Sequence, residues 1–542
     1  MCLIGKIVLQ IFKEFWQRFT APFLYIKEIP ILYISIFSFC VTLVSFQIYE
    51  SVYVYTKSLR IFLIFLLAVL LSALLGYMVK NISFSQREKE ERDIGSKNVQ
   101  ILFLALMIGF RLFFSFYKDY KVLQSIESFT DVYNQKTVQI LDIDRSDGDT
   151  QEIIYEYNGV KGIGYVDWFE DLQIGDVCNT YMEIEKPENF SDFDYVRYLK
   201  NKDIYLTSSS VEIDGCSHKF SIKTSSDIFI WLKRNLRMFR GNLSKQIENY
   251  LPEPQASLLI GILFGSERAF SEDFEESLRI SGTTHIIAAS GYNVTILILA
   301  SSKILYFIKK KYRLILSLVI IWLYCILSGL GASILRATVM GSITILALLS
   351  GNVRNTHLLI PSGVFFLIFL NPKIIFDIGF QLSVLATLGL IYVLPSIENL
   401  LKKILKIKSV PQFIEENLLG TISCTLSTLP ISISIFGKVS LVSIFANILV
   451  LPLTETTMLY GTIALLGSFL IEGISDILFS IPYIQLKIFQ RIVEFFGSIK
   501  WGYVDVGTSW FGWLIGIFLF LFCIYFYPLD QENYYVKRLK DI

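Results

Sequence analysis

A histidine and a serine, His285 and Ser290, stand five residues apart at the start of an apolar run. Both residue types serve in nucleophilic catalysis, where a base must contact the nucleophile. On a continuous helix, five residues correspond to a rotation of about 500°, which leaves the two side chains about 140° apart. Contact between them therefore requires a helix break at Ser290-Gly291. We favour a polar lining of a pore or gate, to which Asn293 also belongs.

Four further polar side chains interrupt apolar sequence. An ionised side chain at membrane depth costs at least ~2.5–3.5 kcal/mol, so Arg336 is the clearest functional candidate. Asp377 and Gln381 stand four residues apart and share one helix face, although Asp377 suits the outer membrane interface equally well. Asn447 lies in another apolar stretch. The predicted channel-lining residues are His285, Ser290, Asn293, Arg336, Asp377, Gln381 and Asn447.

A basic amphipathic helix is predicted over residues 229–251, because apolar residues recur there at helical spacing with cations between them. One interpretation is a helix that lies on anionic lipid headgroups. The other is a collar that attracts a polyanion such as DNA. The DNA-binding candidates are Lys233, Arg234, Arg237 and Arg240.

Metal and nucleotide chemistry find little support in the sequence. The histidines His218, His285 and His357 lie in different segments, and no Cys-x-x-Cys pair occurs. The sequence has no phosphate-binding loop of the Gly-x-x-x-x-Gly-Lys-Ser/Thr type, so we expect no ATPase, no metal and no cofactor. Cys178 and Cys216 fall in a polar segment and are disulfide candidates if that segment faces an oxidising compartment.

Membrane helices are the elements that must position these residues. Of 542 residues, 53% are hydrophobic and 18% are charged, whereas soluble proteins carry about 25% charged residues. Disorder is excluded because the apolar content is high and the net charge is only +1. A span needs about 20 mostly apolar residues, and the sequence holds roughly eleven to twelve such spans. The candidate segments are residues 29–49, 59–79, 99–117, 285–308, 312–330, 333–350, 357–370, 378–395, 418–436, 441–452, 457–470, 474–492 (a weak one) and 510–527.

Lysine and arginine in the loops set the predicted orientation, because positive residues stay on the cytoplasmic side. Basic residues concentrate in the first 28 residues, in loops near 80–98, 309–313 and 402–408, and in the tail. We therefore expect a multi-pass membrane protein with a cytoplasmic N-terminus. Residues 118–227 would then be external. The N-terminus has no pattern of a cleavable signal peptide.

The predicted external domain is rich in strand signals. Five short runs, residues 137–144, 151–158, 161–167, 176–187 and 203–213, are separated by turn residues. Asn158-Gly159 is a good hairpin signal. Five strands with a helix near residues 193–200 suit a small OB-like β-barrel, with a small sandwich as the alternative. The domain carries 22 acidic and 11 basic residues, a net charge of −11, and charge alone favours a solvated spacer.

Four stretches in a fixed order carry a resemblance to a known family. They are Leu251-Pro252 with residues 261–265 and Ser281-Gly-Thr-Thr-His-Ile-Ile-Ala-Ala-Ser-Gly291; Ser328-Gly329 with Ser333-Ile-Leu-Arg-Ala337; Asn371-Pro372 through Asp377 to Gly379-Phe-Gln-Leu-Ser383; and Pro430-Ile-Ser-Ile-Ser-Ile-Phe-Gly437 through Asn447 to Pro452. The ordered set resembles the ComEC family, the inner-membrane channel of bacterial competence DNA uptake. Residues 193–199 also look like the end of that family's external domain.

The resemblance implies a channel that threads single-stranded DNA inward, and it supports the OB-like interpretation of the external domain. A separate cytoplasmic helicase would pull the strand, and other proteins would deliver it. Many family members continue into a metallo-β-lactamase-like domain, which we expect this chain to lack. A nuclease would then be a separate protein, or be unnecessary. Tyr292-Asn293 stands where the family usually has Leu or Ile followed by His or Asn.

The predicted fold class is a polytopic α-helical membrane protein with an external small β-barrel of OB-like type. Its parts are an N-terminal membrane segment (1–117), the external domain (118–227), the basic helix and connecting region (228–280), a ComEC-type channel domain (281–530) and a cytoplasmic tail (531–542). Two other functions stay open. Transport of another polyanion or a lipid-linked glycan could use the same lining, and an intramembrane hydrolase could use Ser290 and His285.

Overall fold

The computed structural model describes residues 111, 114–115, 117–126, 133–145, 150–167, 172–189, 194–218, 225–265, 270–287, 291–350, 356–406, 411, 414–470, 472–499, 501–507 and 511–526. Two predicted spans (29–49 and 59–79), most of a third (99–117) and the predicted tail lie outside these residues. The described chain divides into a β-sheet domain and a helical region.

Six strands build one sheet in the order β5-β3-β2-β1-β4-β6. The strands are β1 Asn134–Arg145, β2 Thr150–Tyr157, β3 Val160–Asp167, β4 Val177–Met182, β5 Ile204–Ser208 and β6 Val211–Ser217. The predicted hairpin turn joins β2 to β3, with positive φ at Asn158 (50°) and Gly159 (80°). Both angles suit the type I′ turn that an Asn-Gly pair favours. Alternate residues of β2 face a core that contains Ile153 and Tyr155, both fully buried.

The prediction of a single strand over residues 203–213 was wrong. The structure has two strands there, because β5 pairs in parallel with β3 at one side of the sheet and β6 pairs antiparallel with β4 at the other. Ser209 and Ser210 carry the chain between them. One further bridge, Glu185 to Thr207, connects the chain just after β4 to β5. A short helix, α1 (Tyr195–Asn201), precedes β5 and is capped by Asp194, whose side chain accepts from Arg197 N.

A long helix, α2 (Ser225–Glu248), follows the sheet and corresponds to the predicted basic amphipathic helix. The remaining helices are α3 Gln255–Phe264, α4 Glu272–Ser281, α5 Thr284–Ile287, α6 Gly291–Ile304, α7 Lys310–Leu327, α8 Ala332–Leu349, α9 Thr356–Leu370, α10 Ile378–Leu388, α11 Leu394–Leu405, α12 Gly420–Phe436, α13 Ser443–Ser468, α14 Ser475–Gly497 and α15 Phe511–Phe526. Two three-residue strands, β7 Lys438–Ser440 and β8 Tyr503–Asp505, pair antiparallel. Helix α3 is buried along its whole length in the core of this region.

Three helices of the described residues are long and apolar enough to cross a membrane: Ile378–Leu405, Asn417–Phe436 and Ser443–Ser468. The first joins α10 to α11 through a π-helical turn, Gly389–Val393. The chain is therefore a membrane protein with a mainly helical C-terminal region and an additional β-sheet domain. The total number of spans stays a prediction.

The division of residues 441–470 into two membrane segments was wrong, because the structure has one continuous helix, α13. Pro452 lies inside it and removes one backbone donor without ending it. Hydroxyl groups in the polar stretch that follows bond back to the preceding turn. Thr454 Oγ1 donates to Val450 O at 2.9 Å and Thr456 Oγ1 donates to Pro452 O at 3.2 Å. These bonds satisfy the hydroxyls within the helix, so the polar stretch does not interrupt it.

Candidate functional site

Arg336 and Asp377, two of the predicted lining residues, form an ion pair. Arg336 lies in the second turn of α8 and is only 4% exposed, whereas the Asp377 side chain is 39% exposed. Arg336 Nη1 donates to Asp377 Oδ1 at 3.0 Å. The same carboxylate caps α10 by accepting from Phe380 N at 2.6 Å. A partner thus compensates the buried positive charge, and that partner is itself partly exposed.

The backbone around this ion pair is tightly packed. A Cβ at Gly379 would lie 3.2 Å from Arg336 Nη2 and 3.3 Å from Asp377 Oδ1, so a larger residue would push the pair apart. Gln381, one turn beyond Asp377, donates from Nε2 to Ile375 O at 2.8 Å. Gln381 therefore braces the short 3₁₀ turn Pro372–Phe376 that leads into α10.

The other predicted lining residues lie apart from this ion pair, or lie outside the described residues. Asn293 is 1% exposed, and its amide donates to Ile262 O at 3.1 Å and to Tyr324 Oη at 3.3 Å, which ties α6 to α3 and α7. Asn447 is buried in α13, and its Oδ1 has no hydrogen-bond partner within the described chain. His285 is exposed on α5. Ser290 lies outside the described residues.

Helix α2 uses three of the four predicted DNA-binding cations to hold the β-sheet domain. Lys233 Nζ lies 2.5 Å from Asp142 Oδ2, and Arg234 Nη1 lies 3.4 Å from Asp176 Oδ1. Arg237 donates to Ile143 O. The fourth cation contacts the helical region, because Arg240 packs against Gly329 in the turn between α7 and α8. The opposite charges of the sheet domain and of this helix, both visible in the sequence, could have indicated the contact.

Lys373 is a functional candidate that the sequence did not single out. It lies in the 3₁₀ turn Pro372–Phe376 and is 4% exposed. Its Nζ donates to Asp119 Oδ1 at 2.8 Å and to Asp203 Oδ1 at 2.8 Å, and it lies 3.0 Å from Tyr205 Oη. Lys118 approaches the second oxygen of Asp203 at 3.1 Å. The sequence around Lys373, an Asn-Pro turn, gave no local signal of these contacts, because they join residues up to 254 positions apart.

The pKa of Asp203 is lower than that of an ordinary aspartate. Burial of the carboxyl would raise the pKa, but the ion pairs and hydrogen bonds with Lys373 and Lys118 outweigh that effect. Asp203 therefore stays ionised into the acid range, and the contact with Lys373 stays charged.

A disulfide joins Cys178 to Cys216, the two cysteines singled out in the polar segment. The two residues oppose each other across the antiparallel pair of β4 and β6. Within the described residues, no group of three histidine, cysteine or acidic side chains comes together to hold a metal ion. The absence of a metal or cofactor stays an expectation.

Part of the chain matches a known protein family. A family model described as "Competence protein" matches residues 262–531, the region that holds the Arg336–Asp377 pair. Residues 262–531, just under half of the chain, therefore form a domain of the competence protein family. Over 378 residues it is 25% identical to ComE operon protein 3 of Bacillus subtilis (strain 168). The alignment covers 67% of this chain but 46% of that protein, so the chain spans less than half of its relative's length.

The competence family match confirms the resemblance found in the sequence, and it locates the candidates relative to the family region. No solved structure matches the chain. The matched region contains all seven predicted lining residues, His285, Ser290, Asn293, Arg336, Asp377, Gln381 and Asn447, and also Lys373. The β-sheet domain, its disulfide and the cations of α2 precede the matched residues.

Proposed function

We propose that this chain is a multi-pass inner-membrane channel that passes single-stranded DNA into the cytoplasm during natural transformation. The observation that carries the proposal is the competence family match over residues 262–531. A phosphate chain that crosses a membrane needs a wide, polar and locally positive path. The matched region keeps the buried guanidinium of Arg336 beside a half-exposed carboxylate, which is unusual in lipid-embedded sequence.

Polar atoms inside the helical region support such a path. Asn447 Oδ1, Ser423 Oγ and Ser427 Oγ are buried on α12 and α13 without a partner among the described residues. Buried polar atoms of this kind need an explanation, because burial without a hydrogen bond costs free energy. A hydrated route between these helices would supply their partners. His285, Ser290, Asn293, Asp377 and Gln381 complete the proposed lining.

The β-sheet domain would lie outside the membrane and act as a small OB-like barrel. In its support, the bridge between Glu185 and Thr207 links the chain after β4 to β5, which also pairs with β3. The rings of Tyr195 and Tyr198 stack with centroids 6.2 Å apart, and Lys202 Nζ lies 4.4 Å from the Tyr198 ring centroid. Stacked aromatic rings beside a cation are the surface on which single-stranded nucleic acid stacks.

The cations of α2 would contribute positive potential between the domain and the channel. Lys233, Arg234 and Arg237 are already paired with the sheet, so DNA phosphates would compete with Asp142 and Asp176 there. Arg240 would add its charge next to the turn that leads into α8, where it packs against Gly329.

The orientation and partners belong to the same proposal. The N-terminus and the tail would face the cytoplasm, and the chain would cross the membrane about 11–12 times. A separate cytoplasmic helicase would supply the pulling force, and separate delivery proteins would bring the DNA. A nuclease would be a separate protein if one is needed. We assign no catalytic step to the chain.

Uptake of labelled DNA tests the proposal directly. A strain that lacks this gene is complemented with the wild type or with Arg336→Ala, and the amount of each protein in the membrane is measured. We expect the wild type to restore uptake and Arg336→Ala to reduce it at least about tenfold, the equivalent of about 1.4 kcal/mol in the barrier to transport.

Arg279→Ala is the matched control, because Arg279 is exposed on α4 and pairs only locally with Glu276. It should leave uptake unchanged. Normal uptake in the deletion strain of a transformable host would reject the DNA channel in favour of another polyanion or a lipid-linked glycan. Normal uptake with a stably inserted Arg336→Ala protein would remove Arg336 from the path.

A further inference from the structure

The ammonium group of Lys373 is where three separate parts of the chain meet. Asp119 comes from the helical residues 117–126, which follow the third predicted span. Asp203 and Tyr205 come from the start of β5 in the sheet domain. Lys373 itself belongs to the turn between α9 and α10. One side chain therefore joins the sheet domain to the family region.

The charges in this cluster balance. Lys373 and Lys118 supply two positive charges, and Asp119 and Asp203 supply two negative ones. Asp119 is almost as buried as Lys373, with 9% of its side chain exposed. Removal of a buried member, Lys373 or Asp119, leaves an uncompensated buried charge, which is more costly than the loss of a surface pair. The cluster therefore resists separation of the sheet domain from the turn.

The turn that carries Lys373 ends four residues later at Asp377 and is fixed along its length. Asn371 accepts from Lys373 N at 3.1 Å, and Asp377 N donates to Ile374 O at 3.0 Å. A second contact with the sheet domain lies between Lys373 and Asp377 in the sequence. There the Arg197 guanidinium lies 4.2 Å from the Phe376 ring centroid. A displacement of Lys373 is transmitted to Asp377 because so short a turn has little freedom of its own.

We infer that Lys373 is a positioning residue, which holds the turn against the sheet domain and thereby fixes the Asp377 carboxylate where it caps α10 and pairs with Arg336. The inference rests on the proposed function only where it gives the Arg336–Asp377 pair a role in DNA transport. The geometry itself predicts that the sheet domain and the Arg336–Asp377 pair move as one body. Engagement of the sheet domain by DNA would then reach the ion pair without any direct contact.

Hydrogen exchange of the full chain, purified in detergent, tests the inference without DNA. The readout is the exchange of the Ile374, Asp377 and Phe380 amides, which are bonded to Asn371 O, Ile374 O and Asp377 Oδ1. In Lys373→Met these amides should exchange about tenfold faster or more, as expected when charge-assisted hydrogen bonds that hold a segment are lost. The amides of Ile153 and Leu206 in the sheet core should keep wild-type exchange.

Lys118→Met is the matched control, because Lys118 pairs with the same Asp203 but from an exposed position and without contact to the turn. It should leave the three amides at wild-type exchange. Lys373→Arg, which keeps the charge, should exchange more slowly than Lys373→Met. If Lys373→Met does not fold, Asp119→Asn tests the same prediction by removing one partner, and its exchange should change in the same direction.

Wild-type exchange of the turn in folded Lys373→Met would overturn the inference. Faster exchange throughout the sheet as well as the turn would also overturn it, because Lys373 would then be a general stabilising residue. A protein that takes up no DNA but shows the local change would retain this inference and lose the proposed function.

Discussion

The guanidinium of Arg336 stays charged in any protein environment, yet the residue is almost completely buried. Its partner Asp377 is much more accessible. The two partners of this ion pair therefore differ in what their removal leaves behind. Loss of Asp377 leaves a buried cation, whereas loss of the Arg336 charge leaves a carboxylate that is partly exposed.

Asp377→Asn should therefore destabilise the protein more than Arg336→Met, which replaces the charged side chain with an apolar one of similar length. We expect Asp377→Asn to cost about 1–3 kcal/mol, since it leaves a buried charged donor short of its acceptor and weakens the cap of α10. Thermal unfolding of the purified proteins in one detergent measures the difference. An equal loss in both variants, or a larger loss in Arg336→Met, would contradict this account.

At the scale of elements, the contact between β5, residues 117–126 and the turn after α9 depends on ionised carboxylates. Asp203 faces Lys373 and Lys118, with Asp119 and Tyr205 in the same cluster. Because the folded pKa of Asp203 is lowered, its ionisation stabilises the folded state above the usual aspartate range near pH 4. That contribution is lost as the pH falls through the lowered pKa.

Lys118→Met should reduce the stability that Asp203 contributes at neutral pH and move the loss of the remainder to higher pH. Lys118 is one of the two cations that lower the pKa of Asp203, so its removal raises that pKa. Between about pH 7 and pH 3, the variant should unfold at a lower temperature than the wild type at neutral pH, and the two curves should converge as the pH falls through the pKa of Asp203. Lys438→Met, an exposed lysine elsewhere in the chain, should follow the wild-type curve. Parallel curves for Lys118→Met would contradict the prediction.

Elements with local signals were predictable from the sequence. The Asn158-Gly159 hairpin follows from two backbone angles that these residues tolerate, and α2 follows from its apolar spacing. The Cys178–Cys216 pair was suggested by its shared polar segment. Helix α13 was divided in error because hydropathy cannot register hydroxyls that bond within their own helix.

The candidate site was only partly predictable for a different reason. Arg336 and Asp377 stood out because charge is rare in apolar sequence, but their pairing depends on how α8 packs beside α10. Lys373 carried no signal, because its partners come from two distant parts of the chain. The capture of Lys233 and Arg234 by the sheet domain also depends on tertiary packing.

At the scale of the whole molecule, the predicted orientation places the sheet domain and the basic loop after α11 on opposite sides of the membrane. Glu188 is exposed in the sheet domain, and Lys403 is exposed near the end of α11. A membrane-impermeant thiol reagent should therefore label Glu188→Cys in intact cells. Lys403→Cys should react only after the cells are permeabilised.

The wild-type chain provides the background for that labelling. Its Cys178 and Cys216 are joined in the disulfide, and Cys325 is buried. Labelling of Lys403→Cys in intact cells, with Glu188→Cys protected, would reverse the orientation. It would also place the sheet domain where incoming DNA could not meet it first.

The position of the disulfide has a mechanical consequence. Strand β6 is an edge strand, and its end leads through residues 218–224 into α2, which connects the sheet to the helical region. Once the contacts of α2 with Asp142, Ile143 and Asp176 break, a pull from the helices would reach the sheet at Ser217 and separate β6 from β4 one residue pair at a time. Cys216 and Cys178 form the second residue pair from that end of β6. The disulfide therefore stops the separation of β6 from β4 almost where it would start. Tension then passes to β4, which is held between β1 and β6.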